Sequence, residues 1–113
     1  MTRAMVVAGV VCLFLGYASI AGADEAQIQR GVAVYAAQKC SLCHSIAGVG
    51  KKNALDGVGT KLSADEIREW LIHPKDAAAK AKSTAKPPMK DYSKLPPADI
   101  DALVAYLKTL TKK

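Results

Sequence analysis

Four side chains in this 113-residue chain carry donor chemistry at a readable spacing: Cys40, Cys43 and His44 in the run Cys40-Ser41-Leu42-Cys43-His44, and Met89 further along. Two cysteines two residues apart, with a histidine directly after them, is the spacing of c-type haem attachment. The thiols add across the two vinyl groups of one porphyrin. Each sulfur bonds to one vinyl carbon while its hydrogen passes to the next, and the adjacent imidazole reaches the iron. Iron then takes a second axial ligand. Two other chemistries share the motif. After residue 23 the cysteines and histidines are Cys40, Cys43, His44 and His73, enough for one zinc ion. Neighbouring Cys43 and His44 fit a single tetrahedral ion awkwardly, however, and no paired second half follows. A Cys40–Cys43 disulfide of the thiol-oxidoreductase kind calls for alternating strands and helices, and that alternation is absent.

The compartment agrees with haem attachment. Arg3, the apolar run Ala4 to Tyr17 and the small residues Ala21-Gly22-Ala23 have the layout of a cleavable export signal. Cleavage after Ala23 leaves residues 24–113 as one small domain in the periplasm and removes Cys12. The apolar run is shorter than the roughly 20 residues of a spanning helix, so no stable membrane insertion is expected after cleavage. The full chain has 16 basic and 10 acidic residues. Loss of Arg3 leaves 15 against 10, a net +5, and two haem propionates would bring it nearer +3. The lysines are spread along the chain without aromatic interleaving, which argues against nucleic-acid binding. A basic surface that steers an acidic protein partner is the better reading. Small domains bury little surface and need an internal staple. With Tyr35, Trp70, Tyr92 and Tyr106 as the only aromatic residues of the mature chain, a large flat apolar cofactor would serve as one.

The elements that must position these residues read as helices. Asp24 to Lys39 is the first, with Ile28, Val32, Tyr35 and Ala36 at helical spacing and acidic residues at its start. Gly31 in its interior costs about 1 kcal/mol relative to alanine, which predicts a second backbone crossing there. From Ser45 to Lys61 periodicity is lost, and Gly48, Gly50, Gly57 and Gly59 describe a loop free to take positive φ. Its carbonyls are available to His44. Ser63 and Glu66 form a capping box for a short helix carrying Ile67, Trp70 and Leu71, which Pro74 ends at His73. Lys75 to Lys86 lacks an apolar stripe and reads as a frayed helix or a loop. Pro87 and Pro88 stiffen the segment that presents Met89, the only methionine left after cleavage. Pro97 opens a last helix with Ile100, Leu103, Val104, Leu107 and Leu110 on one face. No segment reads as a strand, and no internal repeat is found.

With these residues placed, the mature chain resembles the class I c-type cytochromes over nearly its whole length. The resemblance implies an all-α fold: three or more helices wrapped around one covalently attached haem, with the N- and C-terminal helices crossing. It implies Cys40 and Cys43 as thioether anchors, His44 as the proximal iron ligand and Met89 as the distal one. In that family a glycine and an aromatic on the first helix pack against a leucine and a tyrosine on the last, and Gly31, Tyr35, Leu103 and Tyr106 sit at matching spacings. Many members carry a proline whose carbonyl accepts the proximal histidine's N–H. Here no proline lies between His44 and Pro74, and Asn53 or Ala54 stands in its place.

Rival assignments belong to the same residues. Met89 as ordinary core packing, His73 as a second axial histidine, and Lys86 or Lys90 as a ligand at high pH are the competitors. Trp70, with an indole N–H that needs a partner when buried, is a candidate propionate contact. A His/Met-coordinated iron leaves no open position for substrate. The expected function is therefore a soluble periplasmic one-electron carrier shuttling between redox proteins, not an enzyme. The alternatives are a haem subunit of a larger complex and a ligand-binding or peroxidase-like haem protein with a labile sixth ligand.

Overall fold

The structure, a computed structural model, describes residues 24–111. The expected export signal at 1–23 lies outside the described residues. Helix α1, Glu25–Ala37, begins where the Asp24 carboxylate accepts the Gln27 N–H at 2.7 Å. This supplies an acceptor to one of the N–H groups that the first turn leaves unpaired. Its buried stripe is Gly31 and Val34, with Tyr35 half-buried, whereas Val32 is 39% exposed. The stripe expected through Val32 and Ala36 is thus corrected: the core face turns on Val34, because Gly31 rather than Val32 must meet the partner helix.

That partner is α5, Pro97–Lys108, with Pro97 in its first turn. A Cβ at Gly31 would run into the Ala102 carbonyl and stand 2.6 Å from Tyr106 Cβ, so the two helices cross where only hydrogen fits. The crossing is closed on one side by Tyr35 and Tyr106, edge to face with ring centres 5.8 Å apart, and on the other by the Arg30–Asp99 ion pair at 2.7 Å. The core under it joins Val34, Ile67, Leu71, Ile100, Leu103, Val104 and Leu107. Burial of each such side chain is worth about 1.5–3 kcal/mol, while exposed ion pairs contribute about 0–1 kcal/mol. Apolar packing therefore holds the crossing, and the ion pair adds little.

Helix α3, Ala64–Ile72, carries the expected capping box: the Glu66 N–H donates to Ser63 Oγ at 3.1 Å and the Ser63 N–H to Glu66 Oε1 at 3.0 Å. His73 is the junction residue, and Pro74 opens α4, Pro74–Lys80, over the run that showed no apolar stripe. Only Pro74 and Ala77 are buried in it, and two small residues in one short helix leave no period to read. A further short helix, α2, Val58–Lys61, packs Gly59 on the end of α5, where the Gly59 N–H donates to the Leu110 carbonyl at 2.9 Å. Gly59 is therefore a contact residue with helical backbone, not one of the positive-φ glycines, which are Gly48, Gly50 and Gly57.

The chain also contains strands that the sequence did not announce. β1, His44–Ile46, pairs antiparallel with β2, Val49–Gly50, and parallel with β3, Asn53–Ala54, in the order β2-β1-β3. Ala47 and Gly48, both at positive φ, form the tight turn between β1 and β2. The Asp56 carboxylate accepts the Ala47 N–H at 2.8 Å and holds that turn. Strands of two or three residues carry no alternation, which is why the expectation of a purely helical chain misses them. The fold remains helical in its main body. No helix among the described residues is long and apolar enough to cross a membrane.

Candidate haem site

The attachment run begins where α1 stops. Lys39 takes a left-handed conformation, φ 56°, and turns the chain into a 3-10 turn over Cys40–Leu42, closed by the Cys43 N–H to the Cys40 carbonyl at 3.1 Å. Cys40 and Cys43 are both free thiols, the first half-buried and the second exposed. Burial pushes the Cys40 thiol above its ordinary pKa, and a charge on Cys43 adds to the rise.

His44 is the first residue of β1, and the small sheet exists around it. Its parallel pairing sets His44 beside Asn53. The Asn53 N–H donates to the Cys43 carbonyl at 3.1 Å and the Leu55 N–H to the Ser45 carbonyl at 2.8 Å, which locks the register. The His44 ring then lies with Nδ1 2.9 Å from the Asn53 carbonyl. A carbonyl can only accept, so Nδ1 carries the proton and Nε2 keeps its lone pair for a metal. Of the two carbonyls left open by the sequence, the one used is that of Asn53. On the other side the Lys51 N–H donates to the His44 carbonyl at 3.1 Å. Gly50, at φ 117°, lies so close to that carbonyl that a Cβ there would collide with it. Gly50 and Asp56 are positioning residues that sequence reasoning left undistinguished within the loop. Only the pairing of the strands reveals them.

Met89 stands half-buried on the connection between α4 and α5, packed against the core cluster together with Tyr92 and Leu95. This connection is fastened at one point, where the Tyr92 N–H donates to the Leu71 carbonyl at 2.8 Å. Burial raises the pKa of Tyr92, and the charges that Cys40 and then Cys43 would carry add to the rise. Trp70 lines a groove of about 150 Å³ between α3 and α4 with Glu66, Glu69, Ala77 and Lys80. Lys80 and Glu69 pair across it at 2.6 Å. His73 is exposed at the α3–α4 junction. Among the described residues no group of three or more His, Cys, Asp or Glu side chains is arranged to hold a metal ion, so the four zinc-type donors are not gathered into a centre.

The residues fit a covalent haem. Two free thiols and an imidazole with its outer nitrogen available stand together, as thioether attachment and iron ligation require. Among the described residues no polar or charged residue is buried. Leu55, Val58, Leu62, Ile72, Met89, Tyr92 and Leu95 are each packed against the core yet only partly covered. Neither the curated proteins nor the solved structures hold a match to the chain. A family model described as cytochrome c does match, over residues 28–111. The matched stretch runs from the first turns of α1 to just beyond α5 and takes in the whole crossing, the small sheet and the Met89 segment, and on that ground the chain belongs to the cytochrome c family.

Proposed function

We propose that this chain is exported and works as a soluble one-electron carrier whose haem iron is held by His44 and Met89. The coarser part is given by the family: a cytochrome c domain carries covalently attached haem c and serves electron transfer, and the family consists in general of carriers rather than enzymes. Haem c supplies the one-electron couple. The residues of the chain supply the rest. Cys40 and Cys43 anchor the group, and His44 is oriented and kept in one tautomer by Asn53. Met89 is offered from a segment stiffened by Pro87 and Pro88. Trp70 is the candidate donor to a propionate, through an indole N–H that has no protein acceptor among the described residues.

The observation that carries the His/Met reading is the placing of Met89: half-buried against the core cluster, directly after two prolines that stiffen its segment. Ferric protein is expected to show the weak band at about 695 nm that marks iron–methionine ligation. Met89→Ala should abolish the band and lower the midpoint potential. A high-spin ferric spectrum in the unaltered protein, with rapid carbon monoxide binding when reduced, would sink the carrier reading. Export is tested separately by sequencing the N-terminus of the protein recovered from the periplasmic fraction, expected to begin at Asp24.

A further inference from the structure

Among the described residues one buried side-chain polar atom lacks a hydrogen-bond partner: the hydroxyl oxygen of Tyr35. Buried polar groups are paired in folded proteins because an unpaired one keeps its full desolvation cost. The Tyr35 ring needs no hydroxyl for its packing, since its edge-to-face contact with Tyr106, 5.8 Å between centres and 83° between planes, would be made equally by phenylalanine. The oxygen therefore asks for an acceptor that the described residues do not place within hydrogen-bond distance.

Its surroundings indicate where that acceptor is. Tyr35 lies near the end of α1, just ahead of the turn that holds Cys40. Burial raises its pKa first, and the charge Cys40 would carry is the next cause, ahead of Tyr106, so the Cys40 sulfur is within electrostatic reach of the phenol. Cys40 is the half-buried member of the thiol pair, turned inward where Cys43 is exposed. In the free-thiol rotamer the sulfur is beyond hydrogen-bond distance, since the hydroxyl has no partner.

We propose that Tyr35 is a tuning and positioning residue for the haem, its hydroxyl donating to the Cys40 sulfur once that sulfur is a thioether. The O–H dipole then points its positive end at the attached edge of the porphyrin and favours the ferrous state. This rests on haem attachment at Cys40 and is independent of the sixth ligand.

The test uses haem-loaded protein. In Tyr35→Phe the ferrous-to-ferric ratio at fixed ambient potential should shift roughly twofold toward ferric, since only the difference in this hydrogen bond between the two redox states counts and that is a fraction of its net worth, with the iron–methionine band kept. Tyr106→Phe, altered in the same ring pair, should leave the ratio unchanged. In the unaltered protein the Tyr35 phenolic proton should exchange slowly with water by NMR, a readout that needs no variant. An unchanged ratio in Tyr35→Phe, an equal shift in Tyr106→Phe, or phenolic exchange as fast as in an exposed tyrosine would each overturn the proposal. A missing iron–methionine band in the unaltered protein would instead count against Met89 alone.

Discussion

At the scale of single residues, the orientation of His44 depends on a backbone carbonyl, not on the side chain of the residue that owns it. Asn53 is exposed and its side-chain amide has no hydrogen-bond partner among the described residues, whereas its carbonyl holds His44 Nδ1 and its N–H holds the Cys43 carbonyl. Asn53→Ala should leave the visible spectrum and the potential as they are and change stability by less than about 0.5 kcal/mol. Asn53→Pro keeps the carbonyl and deletes the N–H, so it should cost about 1 kcal/mol in urea unfolding while the iron–histidine spectrum persists. The resemblance put proline near this position in many relatives, and the structure shows what asparagine adds there. Which carbonyl serves His44 was not legible along the chain, because the strand register that decides it is set by hydrogen bonds across β1 and β3.

At the scale of elements, the α1–α5 crossing is the largest contact between helices, and its closeness rests on Gly31. Alanine would ordinarily gain about 1 kcal/mol in a helix interior. Here its methyl would meet the Ala102 carbonyl, which is backbone and cannot swing aside. Gly31→Ala should therefore destabilise the fold by about 2 kcal/mol, read from the denaturant midpoint of the haem-loaded protein. The capping box of α3 makes a different prediction. Hydrogen bonds from the Ser63 backbone and side chain hold the Glu66 carboxyl below its ordinary pKa, so folding favours the charged form. Stability from this source is present above the unfolded carboxyl value, near 4.5, and is lost as pH falls through the lower folded value. Glu66→Gln should lower stability at neutral pH by the share the charged carboxylate supplies, and the two proteins should converge below about pH 4.5, so that the variant's decline is flatter. The crossing, the capping box and the last helix were legible because each has a local signature: a glycine in a helical stripe, a Ser-x-x-Glu spacing, a proline before an apolar face. α2, α4 and the three short strands have none, and tertiary hydrogen bonds hold them.

For the whole molecule, charge is the property that reaches furthest. Lys108 is engaged, its Nζ donating to the Gly59 carbonyl at 2.8 Å and the Leu62 carbonyl at 3.1 Å, so it fastens α2 to α5 and is withdrawn from the surface. Lys80 is tied to Glu69. Lys39, Lys51, Lys52, Lys75, Lys86, Lys90 and Lys94 are exposed. If an acidic redox partner docks on them, co-elution in gel filtration should be strong at low ionic strength and fall away as salt is raised toward 0.15 M, where the screening length is about 8 Å. Co-elution unaffected by salt would show that contacts other than charge hold the complex.

The sequence alone determined the candidate donors, since Cys40, Cys43 and His44 are bound together by covalent spacing and Met89 is the only methionine beyond residue 23. It also determined the helical ends of the fold, whose apolar period and capping residues act locally. The tertiary structure decided the rest. It chose Val34 over Val32 as the buried face of α1, Asn53 over Ala54 as the acceptor behind His44, and Gly50 as the residue pressed on the His44 backbone. The reason is common to all three: each depends on what lies across a gap from the residue, a second helix or a second strand, and that neighbour is brought there by packing and register, which no local spacing encodes.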